Sequence, residues 1–380
     1  MAKKKSKKKT SLWLKMLLGV NFVLIIGLLL SYVSYYFSPA KAWLPAFAGL
    51  AYPYILISNI LFIVFWLFIR WKFTLFSVIA IVVGYSYLMS SIQFHSSKMI
   101  TSKDAYFKVM SYNVRNFDLY SNRKNWKPNF EKRNNIFKFI QKEAPNVICF
   151  QEFVNDLSGR FKTLDTLVTL QKAINTHVEY TVVSRYTKQF GIATFTTFPI
   201  VNKGRINFPN SKTDLCIFTD ILVNTDTMRV YNAHFESLHF NYADFEFAEK
   251  ITSAQTEDEA DLKDKSMRLM RLMKRAFVKR ALQAEMVAKH IKSSPYPVIF
   301  CTDMNDTPIS YSYHQLSSNL HDAFTESGSG YGHTFNAFFP SFRIDYILLS
   351  DALTSANFVT TESENSDHYP IQCLVKKKSK

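Results

Sequence analysis

Acidic side chains are missing from the first quarter of this chain. Residues 1–103 carry twelve Lys or Arg and no Asp or Glu, so all 30 acids of the 380 residues lie further on. Subtracting those twelve charges from the formal +16 leaves +4 for the remainder, and Lys376, Lys377, Lys378 and Lys380 account for it. Residues 104–375 are therefore close to neutral, and the pI near 9.5 describes the ends of the chain rather than its body. A domain built to hold a nucleic-acid backbone usually shows a basic face, and the net charge offers no argument for one. Cysteine is scarce too. Cys149, Cys216, Cys301 and Cys373 stand singly in apolar runs, with no CxxC pair, which speaks against a cysteine zinc site. Buried free thiols are the simplest reading, with one unassigned disulfide in an oxidising compartment left open.

What fills the acid-free region is apolar. Three uncharged stretches, Met16–Ala40, Ala42–Ile69 and Phe73–Ser97, are each long enough for a ~30 Å hydrocarbon core, which takes about 20 residues. Trp13, Tyr35, Tyr36, Trp43, Trp66 and Trp71 crowd their ends, where a membrane interface favours aromatics. Ala40-Lys41-Ala42 resembles a signal-peptide cleavage site, but the run before it exceeds a signal core of about 7–15 residues and two more spans follow. Lys3–Lys5, Lys7–Lys9 and Lys15 precede the first span, while Arg70 and Lys72 separate the second from the third. Positive-inside reasoning puts both groups in the cytoplasm. Three spans then leave the rest of the chain on the extracytoplasmic side of an integral membrane protein. The lysine run itself reads as a solvated tail, with attraction to anionic lipid a by-product.

The expected division is a basic tail at 1–11, three transmembrane helices at 12–97, a linker at 98–105, one α/β domain at 106–375 and a basic tail at 376–380. From Tyr106 strand-like and helix-like patterns alternate. Tyr106–Met110, Asn146–Phe150, Tyr180–Ser184, Gly191–Thr196, Leu215–Val223, Met228–Tyr231, Pro297–Phe300 and Ile344–Leu349 read as strands, with Asn224-Thr225-Asp226 as a hairpin turn. Phe130–Gln141, Leu157–Ile174 and Met267–Ile291 read as helices with apolar stripes. Acid-rich Gln255–Lys265 reads as a solvated loop. The order strand, helix, strand occurs twice, around Phe130–Gln141 and around Met267–Ile291, the second copy enlarged by Leu238–Lys265. Two such halves packed sheet on sheet give a mixed α/β sandwich with helices outside.

Each half delivers polar residues to strand ends. The tags are Ser-Tyr-Asn113, Phe-Gln-Glu152, Asn232-Ala-His234, Thr-Asp303-Met-Asn305, Arg-Ile-Asp345-Tyr and Ser-Asp367-His368. A lone Asn or Asp at a strand end is commonly a turn former, and a lone buried His is often a satisfied core residue. Six tags in one domain are harder to explain as independent turns. Acids, amides and histidines on one sheet edge suit metal-assisted hydrolysis of a phosphate ester, where a divalent cation neutralises charge and holds the leaving oxygen. Mg²⁺ needs only one or two carboxylates and an amide, which Glu152 and Asn113 supply. Asp303 can orient or deprotonate water, with Asn305 two positions on holding a phosphate oxygen. His234 and His368 can donate hydrogen bonds to phosphate or move protons, and Asp345 is placed to raise the basicity of His368.

VMSYNVRNF, VICFQEF, GIATFTTFPI, YNAHFES, DMNDTP, RIDYILLS and SDHYPI, in this order, resemble the endonuclease/exonuclease/phosphatase superfamily, which includes DNase-like nucleases, inositol polyphosphate 5-phosphatases and neutral sphingomyelinases. The resemblance covers residues 106–375. It implies a four-layer, DNase-like α/β sandwich, here preceded by three transmembrane helices, and dependence on Mg²⁺ or Mn²⁺. It implies that Glu152 is a metal ligand with Asn113 beside it and Asp367 in support. It also implies that Asp303 activates water and Asn305 orients the phosphate. His368, paired with Asp345, would contact the scissile phosphate, and His234 would be a second phosphate contact or acid. Two departures stand out. Thr302 replaces the opening Gly of the GD-N tag, and Thr196-Thr197 replaces a Ser-Lys pair. The substrate is open within that superfamily: a lipid headgroup, nucleic acid or a small phosphodiester. The apolar spans and neutral domain favour a membrane-proximal ester, with the bilayer as the other partner and no protein partner implied. The aromatic insert Phe240–Phe247 would touch the bilayer or pack on the sandwich. Alternatives are an anchored nuclease and a non-catalytic binding module on the same fold.

Overall fold

The computed structural model describes residues 11–96, 100, 105–119, 130–158, 162–170, 175–183, 187–209, 211, 213–238, 259–336 and 342–378. Unbroken apolar composition makes helix at the N-terminus: α1 (Leu12–Ser34), α2 (Leu44–Leu50), α3 (Tyr52–Val83) and α4 (Tyr85–Met89). Two of them, α1 and α3, are long and apolar enough to cross a membrane, where three spans are expected. The correction lies at Arg70. The expected second and third spans are one helical run, interrupted at a single residue with φ −153° and ψ 77°. Ser77 Oγ nevertheless donates to Asn59 Oδ1 at 3.0 Å, although 18 helical residues would separate them by about 27 Å along a straight axis. The helix therefore folds back at Arg70. A buried polar ring holds the arms against α1: Asn21 Nδ2 donates to Ser77 Oγ at 2.9 Å and Trp66 Nε1 donates to Asn21 Oδ1 at 3.0 Å. The expected third span is also too long. It stops at Met89, and β1 (Ile92–Phe94) pairs antiparallel with β11 (Ser329–Tyr331) of the α/β domain.

The domain is built from two units of parallel strands joined through a helix. In the first, β2 (Phe107–Asn113) and β3 (Val147–Asp156) flank α5 (Phe130–Glu143) and pair with Asn113 opposite Gln151. In the second, β8 (Asp226–His234) and β9 (Val298–Asp303) pair with His234 opposite Asp303. Their connecting helix, α7 (Glu259–Lys292), begins eight residues before the expected Met267 and takes in the last part of the expected acidic loop. Lys263 and Asp264 there are exposed, and helical hydrogen bonding tolerates such charge on a solvent-facing turn. The rest of that loop and the aromatic insert fall outside the described residues. A shorter helix, α6 (Thr163–Leu170), occupies the middle of the expected Leu157–Ile174.

Further strands extend each pair into a six-stranded sheet. The first adds β4 (Asn175–Val183), β5 (Lys188–Thr196), β13 (Leu353–Thr360) and β14 (Ile371–Lys377), in the order β13-β14-β2-β3-β5-β4. The second adds β6 (Ile200–Asn207), β7 (Leu215–Val223), β10 (His321–Asp322) and β12 (Asp345–Leu349), in the order β10-β12-β9-β8-β7-β6. Asn224, at φ 56°, makes the tight β7–β8 turn, a backbone region that Asn tolerates. Val109, Cys149, Val230, Ile299, Cys301, Ile347 and Cys373 fill the space between the sheets. Ile136, Phe137 and Ile140 of α5 cover the first sheet, and Ala284, Val287 and Ile291 of α7 cover the second. The result is a four-layer α/β/β/α sandwich, and all four cysteines are buried free thiols. Both parallel pairs end at one rim, and β12 starts there beside β9.

Candidate active site

Register brings the polar tags together around Asp303. Its carboxylate is 1% exposed. Asn113 Nδ2 donates to Oδ2 at 2.7 Å, and the backbone N–H of Asn305 donates to Oδ1 at 2.9 Å. His234 Nε2 stands 3.6 Å and His368 Nε2 3.7 Å from Oδ2. Asp345, opposite Asp303 in the ladder, accepts from His368 Nδ1 at 2.9 Å. Its own backbone N–H is held by Thr334 Oγ1 at 3.1 Å.

Glu152 reaches the rim through a bulge. The β3–β5 register shifts between Phe150 and Phe153, and Glu152 has φ 48°. The extra residue turns Gln151 inward, where it donates to Asn232 Oδ1 at 2.8 Å and to Ser111 Oγ at 3.1 Å. Glu152 is left facing outward with 32% of its side chain exposed. Its Oε1 accepts from Asn113 Nδ2 at 3.2 Å and lies 3.7 Å from His234 Nε2. Asn305 also has positive φ, 53°, and its Nδ2 donates to Phe235 O at 3.0 Å beside His234. Non-Gly residues pay for this conformation, so its recurrence at Glu152 and Asn305 marks a site where the fold imposes the side-chain direction.

Just beyond Asn113 the same strain extends over four residues. Arg115, Asn116, Phe117 and Asp118 have φ between 45° and 53°. Phe117 is fully buried against Phe137, Phe150 and Phe153, which pins the turn. Asn116 Nδ2 thereby meets Glu152 Oε2 at 3.4 Å, and Arg115 Nε stands 3.3 Å from Asp367 Oδ2.

The electrostatics favour a charged His368. Burial opposes protonation, but the carboxylates of Asp345 and Asp303 outweigh it and push the imidazole well above its ordinary value. Burial pushes Asp345 upward in turn, with the charge of Asp303 adding to it and His368 opposing. His368 at neutral pH is thus an imidazolium, a donor poised for an anionic oxygen.

Comparison with known proteins identifies the family. The model of the endonuclease/exonuclease/phosphatase family matches residues 110–368. The chain belongs to that family. A second family model, described as a domain of unknown function (DUF8431), matches residues 14–91. No curated protein matches the chain. Among solved structures, an endonuclease/exonuclease/phosphatase from Bacteroides vulgatus is similar at 13% identity and TM-score 0.52, over 72% of this chain and 99% of that one. The human Nocturnin catalytic domain with bound sulfate is similar at 16% identity and TM-score 0.51, over 74% and 97%. A family protein from Beutenbergia cavernae is similar at 15% identity and TM-score 0.52, over 72% of both chains. At such identities these likenesses show the fold.

As a member of this hydrolase family, the chain places Asn113, Glu152, His234, Asp303, Asn305, Asp345 and His368 at one rim. Asp367 lies at its edge, paired with Arg115. Asp303, Asp345 and His368 form the described group of closely spaced metal-ligating atoms, but His368 Nδ1 is occupied by Asp345 and its charge makes it a poor ligand. Glu152 and Asp303 offer oxygen, the donor that Mg²⁺ and Mn²⁺ prefer, so the residues present fit a hard divalent cation. Asn113 is turned differently from the expected amide-oxygen ligand: its Oδ1 accepts the N–H of Arg115 at 2.9 Å, while its Nδ2 bridges the two carboxylates. Asn232, part of a sequence tag, is a tie between the sheets, donating to Ala193 O at 3.0 Å. Arg115, Asn116 and Thr334 escape sequence reading. Only the proximity of Arg115 and Asn116 to Asn113 could have signalled them.

Proposed function

We propose that this chain is a membrane-anchored, divalent-metal-dependent phosphoric-ester hydrolase whose substrate is a phosphodiester or phosphomonoester presented at a membrane surface. The observation that carries the reading is the convergence of Asn113, His234, Asn305 and His368 on one buried carboxylate, Asp303, beside the accessible Glu152. Asp303 takes a proton from the attacking water. Asn305 and His234 hold phosphate oxygens, and the His368 imidazolium, fixed by Asp345, stabilises the charge that builds on the phosphoryl group. Water forms the new P–O bond as the ester P–O bond breaks, and the leaving oxygen takes up a proton. Glu152, oriented by Asn113 and Asn116, would hold Mg²⁺ or Mn²⁺, with Asp367 supporting that edge through Arg115. The ion supplies charge neutralisation and a Lewis acid for the phosphoryl oxygens.

The membrane-proximal part rests on what lies next to the rim. Tyr54, at the start of α3, packs on Phe342 at 6.3 Å. Phe342 bridges to Phe335, whose ring is 4.9 Å from that of His368. Ser34 Oγ at the end of α1 donates to Ile309 O at 2.7 Å, in the loop that leaves Asp303 and Asn305. Arg343, next but one to Asp345, donates to Ser90 O at 2.6 Å. The apolar helices thus abut the catalytic rim rather than hanging from a free linker. With the positive N-terminal residues and Arg70 in the cytoplasm, the two arms of the folded-back α3 cross in turn, and the rim lies on the extracytoplasmic side. Purified full-length protein in vesicles, supplied with Mg²⁺ or Mn²⁺ and a panel of lipid, nucleotide and small esters, tests the reading. Turnover of an ester held in the vesicle, abolished by EDTA, supports it, and inertness toward the whole panel rejects it.

A further inference from the structure

Helix α7 is longer than the sheet it covers. Its 34 residues extend about 51 Å, whereas the six residues of β9 extend roughly 20 Å. The division shows in burial. From Ala276 onward Ala276, Phe277, Ala281, Ala284, Val287 and Ile291 are buried, while no residue from Lys263 to Arg275 is. The overhanging part is nonetheless patterned. Arg268, Arg271 and Arg275 follow at intervals of three and four on one face, and Leu269, Met270, Met273 and Phe277 occupy the opposite side. Met267 and Met270 are each 40% exposed. Lys263, Arg271, Lys274 and Arg275 are exposed, and Asp264 is the one acid between positions 263 and 275.

Where this segment leaves the domain is fixed by two contacts. Phe277 packs edge-on against Phe47 at 5.1 Å, and Lys274 Nζ lies 4.9 Å from the Trp43 ring centre. Trp43 and Phe47 belong to the short connection between α1 and α3, at the end of those helices nearest the domain. The basic, Met-rich overhang therefore starts at the level where the apolar helices would leave a bilayer.

We propose that residues 263–275 of α7 form an interfacial helix that lies on an anionic lipid surface, its Leu and Met side chains in the acyl boundary and its arginines and lysines on lipid phosphates. The proposal rests on the reading of α1 and α3 as membrane spans. A basic face opposite an apolar one, with low overall hydrophobicity, is the pattern of helices that lie in that plane, and long cationic side chains can keep their heads at the phosphates while their stems stay apolar. Anionic lipid matches the charge of this segment, whereas the remainder of residues 104–375 carries the compensating net negative charge and offers no such attraction. With this helix on the surface, the rim is held against the headgroup layer at a second point beside Tyr54.

Nitroxide depth measurement tests this in the full chain. The four native cysteines are buried, so Met270→Cys and, separately, Leu61→Cys on α3 accept the label. In vesicles of phosphatidylcholine and phosphatidylglycerol, both labels should collide more with dissolved oxygen than with an aqueous nickel complex. The pair Arg271→Glu and Arg275→Glu should move the Met270→Cys label into water and leave the Leu61→Cys label unchanged. A water-exposed label at 270 with a lipid-embedded label at 61 overturns the interfacial helix and spares the anchor. Labels in water at both positions overturn the anchor itself. A label at 270 shielded from both reagents means that another protein segment covers this face, which also overturns the proposal.

Discussion

Asp303 is the centre of the site. Four polar groups converge on it, and removing its carboxylate deprives water of its base while leaving Asn113 and both histidines in place. Asp303→Asn should cut turnover by about 10²–10⁴-fold, measured as steady-state rate at saturating metal, with little change in the far-UV spectrum of a fully packed domain. Asp345 acts through His368. Burial lowers the imidazole pKa, and Asp345 and Asp303 raise it past its usual range. The donor form is therefore present at neutral pH and is lost as pH rises through that elevated value. Asp345→Asn removes the largest of the raising charges, so the alkaline limb of the pH–rate profile should move to lower pH. An unmoved limb contradicts the pairing. The sequence made these residues legible because six polar tags recur at strand ends within one domain, too many to be independent turns. It did not reveal the bulge that swings Glu152 outward and Gln151 inward, since a one-residue register shift leaves no mark on an apolar run. Nor did it reveal the left-handed turn at Arg115–Asp118, which no glycine announces.

Among elements, α3 departs furthest from its pattern. Arg70 and Lys72 read as a loop between spans, yet the helix is interrupted at one residue and returns on itself. What holds the return is the Asn21–Ser77–Asn59 ring with Trp66, all fully buried. Asn59→Leu leaves Ser77 without its acceptor and should destabilise the helical unit by about 0.6–2 kcal/mol, read as a lower unfolding midpoint in detergent, with the catalytic domain's own transition unchanged. The connection of that unit to the rim is similarly tight. A Cβ on Gly49 would meet Ser34 Oγ at 2.4 Å and Ile309 O at 3.3 Å. Gly49→Leu should therefore displace the loop that follows Asn305 and lower kcat, while Gly19→Leu, where a Cβ meets nothing within 4 Å, should leave kcat unchanged. Equal kcat values for the two variants would show that the helices do not bear on the rim. Helix α7 was legible from Met267 onward by its apolar stripe. Its charged first turns were not, because composition there matches a solvated loop and helical continuity depends on hydrogen bonds that charge does not forbid.

At the scale of the whole molecule, a family fold is in direct contact with two apolar helices at its rim. The two halves of the sandwich were readable from the repeated strand–helix–strand order, and the single rim follows from their parallel pairing. The seating of the helices beside that rim was not readable, since contacts such as Ser34–Ile309 and Arg343–Ser90 join residues more than 250 positions apart. On the proposed reading of α1 and α3 as membrane spans, this arrangement favours esters already at the bilayer. An ester displayed on vesicles that contain the protein should be hydrolysed faster than the same headgroup free in solution at equal bulk concentration. The most direct measurement is phosphate-ester turnover by the full chain in vesicles, with Mg²⁺ or Mn²⁺, with EDTA, and with Asp303→Asn. Turnover should require the metal and the carboxylate together. Turnover that survives EDTA or the substitution, or no turnover of any phosphate ester by the unaltered protein, would contradict metal-dependent hydrolysis at Asp303.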